Sequence, residues 1–169
     1  MKQIILMRHA EAADADYDTN SPDMARRLTT RGALQAKATA LILSQEKILP
    51  NIIITSNATR AQQTTQIVNS LLCNNQAKVV TQDWLYDDYT TQQLIDTIVQ
   101  CATTSQPTEP ATIMIIAHNP TLSYRAANLM REPQYIGFPT AGYIALQVEI
   151  DHWQELTARN AILLNSNFL

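Results

Sequence analysis

The chain has 169 residues, 46% of them hydrophobic and 16% charged, with a formal net charge of -3. That balance excludes a disordered chain. It also argues against a bulk nucleic-acid binder, while leaving room for a local basic pocket.

The first apolar run predicts a strand over Gln3–Met7, closed by Arg8-His9. A polar loop follows from Glu11 to Ala25, with acids at Asp14, Asp16, Asp18 and Asp23. Leu28-Thr29-Thr30-Arg31-Gly32 opens a helix with Thr29 as N-cap. Its expected sheet-facing side carries Leu34, Ala38, Leu41 and Ile42. Ile52-Ile53-Ile54 is β-branched and continuous, which suits a central strand. A second helix runs from about Ala58 to Leu72, with Ala61, Thr64, Val68 and Leu71 on one face. Lys78–Thr81 reads as a short strand, Trp84–Tyr89 as a loop, and Leu94, Ile95, Ile98 and Val99 as a third amphipathic helix. Thr103–Pro110 is a polar linker too short to separate domains. Thr112–Ala117 is the next strand. Asn119-Pro120 after it predicts a helix start, with Asn as N-cap and Pro in the first turn, continuing through Leu122, Ala126, Leu129 and Met130. Ile144, Leu146, Val148 and Ile150 alternate with less apolar residues, the pattern of a strand near a sheet edge. Trp153–Leu156 is expected to pair back on it.

This β-α-β order predicts one domain over residues 1–169. Its fold class is an α/β, three-layer α/β/α sandwich with a mostly parallel sheet and an antiparallel edge strand. Cys73 and Cys101 have neither metal-ligand spacing nor a disulfide framework, so both read as packing residues in a reducing, cytoplasmic setting. Ile4–Met7 is shorter than a signal h-region, and no apolar run is long enough to span a bilayer.

Ligands of open α/β sheets gather beyond the carboxyl ends of the strands. Arg8-His9, the turn Ser56–Arg60, the loop near Asp87 and His118-Asn119 all fall there. Guanidinium groups suit phosphate oxygens because they combine charge with planar, bidentate donors. Neutral imidazole can serve as a nucleophile. Arg60 lies in the first turn of its helix, where the dipole already favours anions. Each feature has a plainer reading: a histidine satisfied at a strand end, an arginine solvating a helix start, or a loop acid. Asp14, Asp16 and Asp18 mimic the start of a calcium loop. Thr19 stands where that loop needs Gly and Ala25 where it needs Glu, so a solvated acidic loop is the better reading and no metal is expected. His152 reads as a surface histidine. Tyr86 and Tyr89 either line the site's mouth or pack beneath its loop.

Taken together, five segments make the pattern specific. Arg8-His9-Ala10-Glu11-Ala12 resembles the Arg-His-Gly signature of the histidine phosphatase (phosphoglycerate mutase-like) superfamily, and Arg-His-Ala is a variant of it. Arg26-Arg27-Leu28-Thr29-Thr30-Arg31-Gly32, with Gln35-Ala36 following, resembles Arg-Pro-Leu-Thr-x-x-Gly of the small phosphohistidine phosphatase, SixA-type branch. Ser56–Thr64 matches Ser-x-x-x-Arg-Ala-x-Gln-Thr. Ala117-His118-Asn119-Pro120 is similar to the branch's His-x-Pro, and Phe138–Gly142 to its Phe-x-Thr turn. The motifs occur in the right order and span nearly the whole chain.

The resemblance implies that His9 attacks phosphorus and carries the phosphoryl group. Arg8 and Arg60 hold phosphate oxygens, His118 donates to them, and Arg26 helps at the pocket mouth. Water then hydrolyses the phosphohistidine, with no cofactor or metal. Asp87, in Leu85-Tyr86-Asp87, stands where the family's acid often lies, with Asp88 and Glu11 as competitors. Two departures are notable: Ala10 replaces Gly, and Arg27 replaces the branch's Pro. The implied activity is removal of phosphate from phosphohistidine on a partner protein, a histidine phosphotransfer domain or phosphotransfer-system component, by a protein expected to be monomeric. Two alternatives stay open. One is a phosphatase or mutase for small phosphate esters, and the other is a non-catalytic phosphoprotein-binding module.

Overall fold

The computed structural model describes residues 1–15, 22–104 and 109–169. Among these, six strands form one sheet: β1 (Lys2–Arg8), β2 (Ile52–Ser56), β3 (Lys78–Gln82), β4 (Thr112–Ala117), β5 (Tyr143–Val148) and β6 (Ala161–Ser166). Their order is β3-β2-β4-β1-β5-β6. The first four run parallel, while β5 is antiparallel to β1, and β6 to β5. The helices are α1 (Thr30–Gln45), α2 (Thr59–Cys73), α3 (Thr91–Thr104) and α4 (Thr121–Leu129).

The central strands are buried on both faces, which explains their unbroken apolar runs. Side chains alternate across the sheet. Ile4, Leu6, Ile52, Ile54, Ile113 and Ile115 face one core with Leu94, Ile98, Leu122 and Ala126 from α3 and α4. Ile5, Met7, Ile53, Met114 and Ile116 face the other, with Ala36, Ala40, Leu43, Ala61 and Val68 from α1 and α2. The chain therefore forms three layers, as predicted.

Several sequence expectations need correction. In α1 the buried residues are Gly32, Ala36, Thr39, Ala40 and Leu43, whereas Leu34 and Leu41 are each 60% exposed. The side that faces the sheet is small rather than greasy. In α2, Leu71 is exposed and Leu72 buried. Pro120, not Asn119, holds the N-cap position of α4. The Asn119 carboxamide is engaged elsewhere: it donates to the Phe138 carbonyl and accepts from the Ser123 hydroxyl. Trp153–Glu155 is a 3-10 turn rather than a strand. Trp153 plugs the α3/α4-side core, fully buried, and its indole N–H donates to the Pro110 carbonyl at 2.8 Å. The edge strands are β3 and β6, and β5 lies beside β6, near that edge as its alternation suggests. Asp16 and Asp18 of the acidic loop, and the middle of the Thr103–Pro110 linker, lie outside the described residues. Among the described residues no His, Cys, Asp or Glu cluster could hold a metal ion, and no helix is long and apolar enough to cross a membrane.

The start of α1 fits the reading of its cap, since the Thr29 hydroxyl accepts from the Gly32 amide at 2.9 Å. Gly32 has a second role. A Cβ built there would lie 1.9 Å from the Glu11 carbonyl oxygen, so glycine is required by close approach of the helix to the segment following His9. Gly32→Ala should lower stability by about 1–3 kcal/mol, despite alanine's better helix propensity. Gly137→Ala, where the nearest side-chain atom lies 3.8 Å from the added carbon, should leave the melting temperature much less changed. Thermal unfolding of the two variants checks this.

Candidate active site

Strands β2, β4 and β1 are parallel neighbours, so their carboxyl ends lie side by side at one edge of the sheet. Arg8 ends β1, Ser56 ends β2, and Ala117 ends β4, immediately before His118. Residues over a hundred positions apart in sequence meet there as a consequence of topology alone.

His9 is buried. Its Nδ1 lies 2.7 Å from the Ala10 carbonyl oxygen. A carbonyl can only accept, so Nδ1 carries the proton and Nε2 keeps its lone pair. The Arg60 Nε–H donates to that Nε2 at 3.3 Å. Burial foremost lowers the His9 pKa to about 4; the hydrogen bond to the Ala10 carbonyl, next in size, pulls it up, and the positive charges of Arg60, Arg8 and Arg26 add to the lowering. The ring is therefore neutral at neutral pH, in the tautomer with an unprotonated Nε2 whose lone pair accepts from Arg60.

His118 stacks obliquely against His9, with ring centroids 4.9 Å apart. Its Nε2 is 2.8 Å from the Ser56 hydroxyl oxygen, which already accepts from the Ala58 amide. Ser56 is fully buried, and its own proton is satisfied by donating to His118 Nε2. That choice places the His118 proton on Nδ1, a buried nitrogen with no partner among the described residues. Burial foremost, then His9 and Arg60, lower the His118 pKa to about 3.

Arg8 donates from one terminal nitrogen to the Phe138 carbonyl at 3.0 Å. Its Nε is buried without a partner among the described residues. Burial, and then Arg60, hold its pKa below the usual value. Arg60, the second residue of α2, spreads its guanidinium between two neighbours. Nε faces His9, while Nη1 and Nη2 donate to the backbone carbonyl and carboxylate of Asp23 at 2.8 and 2.9 Å. Arg26 reaches the cluster through the same carboxylate at 2.9 Å and is anchored on the Ala13 carbonyl. The site thus gathers three cations, two neutral imidazoles and one carboxylate. Such a set can bind a tetrahedral oxyanion and present it to a nitrogen nucleophile.

Other motif residues act as struts. Thr64 accepts from the Ala10 amide and donates to the Arg60 carbonyl. Gln63 accepts from the Leu28 amide, and Gln35 from the Glu11 amide. Ala10 is fully buried and has no positive φ, so its position accommodates a Cβ.

The candidate acids fall differently. Asp87 is exposed and extended beyond the 3-10 turn Asp83–Tyr86. Asp88 pairs with Arg125 at 3.1 Å. Glu11 accepts from Thr29 and pairs with Arg31. The carboxylate joined to the cluster is Asp23, which the sequence reading placed only in an acidic loop. Its neighbour Tyr86 donates to it at 2.7 Å, packs edge-on against His118 at 5.5 Å and lies under Arg60. Tyr86 thus lines the site, while Tyr89 packs beneath, buried against Trp84. The one usable signal for Asp23 was its spacing three residues before Arg26.

Comparison with known proteins bears on the fold and the family. The family model "Histidine phosphatase superfamily (branch 1)" matches residues 4–85. No curated protein matches the chain in sequence. Among solved structures, the chain is similar to the Agrobacterium tumefaciens protein named as a phosphohistidine phosphatase SixA. The identity is 25%, the TM-score 0.78, and coverage is 98% of this chain and 96% of that one. It is also similar to a protein histidine phosphatase SixA complexed with tungstate, at 21% identity and TM-score 0.79, over 97% and 95% of the two chains. A mycobacterial glucosyl-3-phosphoglycerate phosphatase aligns with a TM-score of 0.65 at 14% identity, over 97% of each chain. The family match over residues 4–85 and the likeness in fold make the chain similar to the histidine phosphatase superfamily, and the motifs that carry this likeness converge at one strand edge.

Proposed function

We propose that this enzyme removes the phosphoryl group from phosphohistidine on a partner protein, in two displacements through a phosphorylated His9. In the first, the Nε2 lone pair forms a bond to phosphorus. The substrate's P–N bond breaks, and its electron pair goes to the leaving imidazole nitrogen. In the second, water attacks phospho-His9, releasing inorganic phosphate and restoring the free ring. Arg8, Arg60 and the Nδ1–H of His118 hold the phosphoryl oxygens as charge develops on them. The buried nitrogens of Arg8 and His118 gain acceptors in that arrangement. None of these steps uses a metal.

The observation that carries this reading is a built nucleophile without a built proton donor. His9 is neutral with Nε2 unprotonated, while hydrogen bonds from Arg26 and Tyr86, then Arg60, hold Asp23 well below the usual carboxylate range. An alkoxide leaving group needs an acid. A protonated phosphohistidine ring leaves as neutral imidazole and needs none. The likeness in fold to a SixA complexed with tungstate, a tetrahedral oxyanion, supports the same reading.

Incubation with a phosphorylated histidine phosphotransfer protein tests it. We expect release of phosphate from the partner; no turnover, with efficient consumption of small alkyl esters, overturns the assignment. His9→Ala should abolish a phosphoenzyme that is acid-labile and base-stable, and lower turnover by at least about a thousandfold. Persistence of the label in that variant would place the nucleophile elsewhere. NMR titration of the free protein should show His9 protonating near pH 4, with the neutral ring holding its proton on Nδ1. The nucleophile is then available at every pH above that midpoint and is lost as pH falls through it; a midpoint at 6.5 would contradict the geometry.

A further inference from the structure

We infer that Asp23 is a specificity-determining residue: its carboxylate, seated on Arg60 at the mouth of the phosphate site, recognises a leaving group that carries a positive charge on nitrogen. This rests on the proposed phosphatase reading and assigns the substrate class a physical determinant.

The placement argues for it. Asp23 sits in a 3-10 turn, Asp23–Ala25, whose carboxylate is tied to the reacting centre through Arg60, the group that also touches the His9 nucleophile. Oδ2 accepts from Arg60 and from the Tyr86 hydroxyl, whereas Oδ1 accepts only from Arg26. Oδ1 therefore keeps lone-pair capacity, and the side chain is 41% exposed. Arg8, Arg26 and Arg60 all repel a cation. Among the described residues of the cluster, Asp23 is the carboxylate able to receive one.

The hydrogen bonds that fix Asp23 also keep it ionised, so it accepts rather than donates a proton. This matches the chemistry of a phosphoryl group on nitrogen. In its reactive form the nitrogen base is protonated. When His9 attacks and the P–N bond breaks, the electron pair returns to that nitrogen, and the base departs neutral with the proton it already holds. A carboxylate that accepts a hydrogen bond from the cationic N–H stabilises the reactive form. It gives no such help to an ester, whose oxygen carries no charge before cleavage.

Two small probes separate the classes: phosphoramidate, whose phosphorus-bound nitrogen is protonated in the reactive form and leaves as neutral ammonia, and p-nitrophenyl phosphate, whose phenolate leaves without a proton. The readout is the ratio of their kcat/KM values, which cancels any change in the fraction of folded enzyme. It also cancels a common loss from a loosened Arg60. In Asp23→Asn the phosphoramidate-to-ester ratio should fall about tenfold, the scale of one hydrogen bond to a charged group. An unchanged ratio makes Asp23 a support for Arg60 only and overturns the inference. A gain on both probes with the ratio kept would make it an internal anion that competes with phosphate, which also overturns it. Failure of the wild type on a phosphohistidine protein, with a ratio that still falls in Asp23→Asn, removes the partner assignment and leaves the role of Asp23 standing.

Discussion

Mutual repulsion among three guanidinium groups is the constraint around which this site is built. Arg8, Arg26 and Arg60 converge at one edge of the sheet, and each is pinned by an oxygen acceptor: Phe138, Ala13 and Asp23 respectively. Without those anchors, long flexible cations would spread into solvent, and the oxyanion cradle would have to be assembled at each encounter with substrate. The same crowding bears on the protonation of everything nearby. Burial first, and that crowding after it, keep both histidines uncharged, while hydrogen bonds from Arg26, Tyr86 and Arg60 keep Asp23 charged. Acid–base behaviour here is thus imposed by neighbours and by loss of water, not by any unusual chemistry of the individual side chains.

Much of this was legible in the sequence because parallel sheets leave a clear signature. Continuous apolar runs ending in Arg8-His9, Ser56 and His118 disclosed which residues leave the strand ends together, and the order of the motifs disclosed the family resemblance. What was hidden depended on fine placement. Asp23 lies in an irregular stretch with no periodicity, and its contact with Arg60 crosses 37 positions in the chain. Tyr86 adjoins the Asp87 of the sequence reading, yet the 3-10 turn sends the tyrosine to the site and leaves the acid exposed. Ser56 was visible only as a motif letter; its task emerged from asking where a buried hydroxyl proton must go.

The misread face of α1 has an equally physical origin. Hydrophobicity alone picks out Leu34 and Leu41, but close packing of a helix against other backbone selects small residues. Gly32 lets α1 approach the chain segment after His9 and Ala36 and Ala40 pack into the core, whereas Leu34 and Leu41 turn outward. The C-terminal region was misjudged for a related reason. Trp153 resembles a strand residue by composition, yet its volume serves to close one core, and β6 arrives only afterwards.

The reversed direction of β5 has a consequence of its own. In a wholly parallel sheet every strand would send its outgoing end toward the histidines, and each connection there would lead into a helix. Running against β1, β5 instead delivers its incoming turn to that rim, so the Phe138 carbonyl can grip both Arg8 and Asn119 while the Ala141 amide clasps the His9 carbonyl. One inverted strand thereby supplies a rigid backstop behind the nucleophile, made of main-chain atoms that side-chain substitution leaves in place.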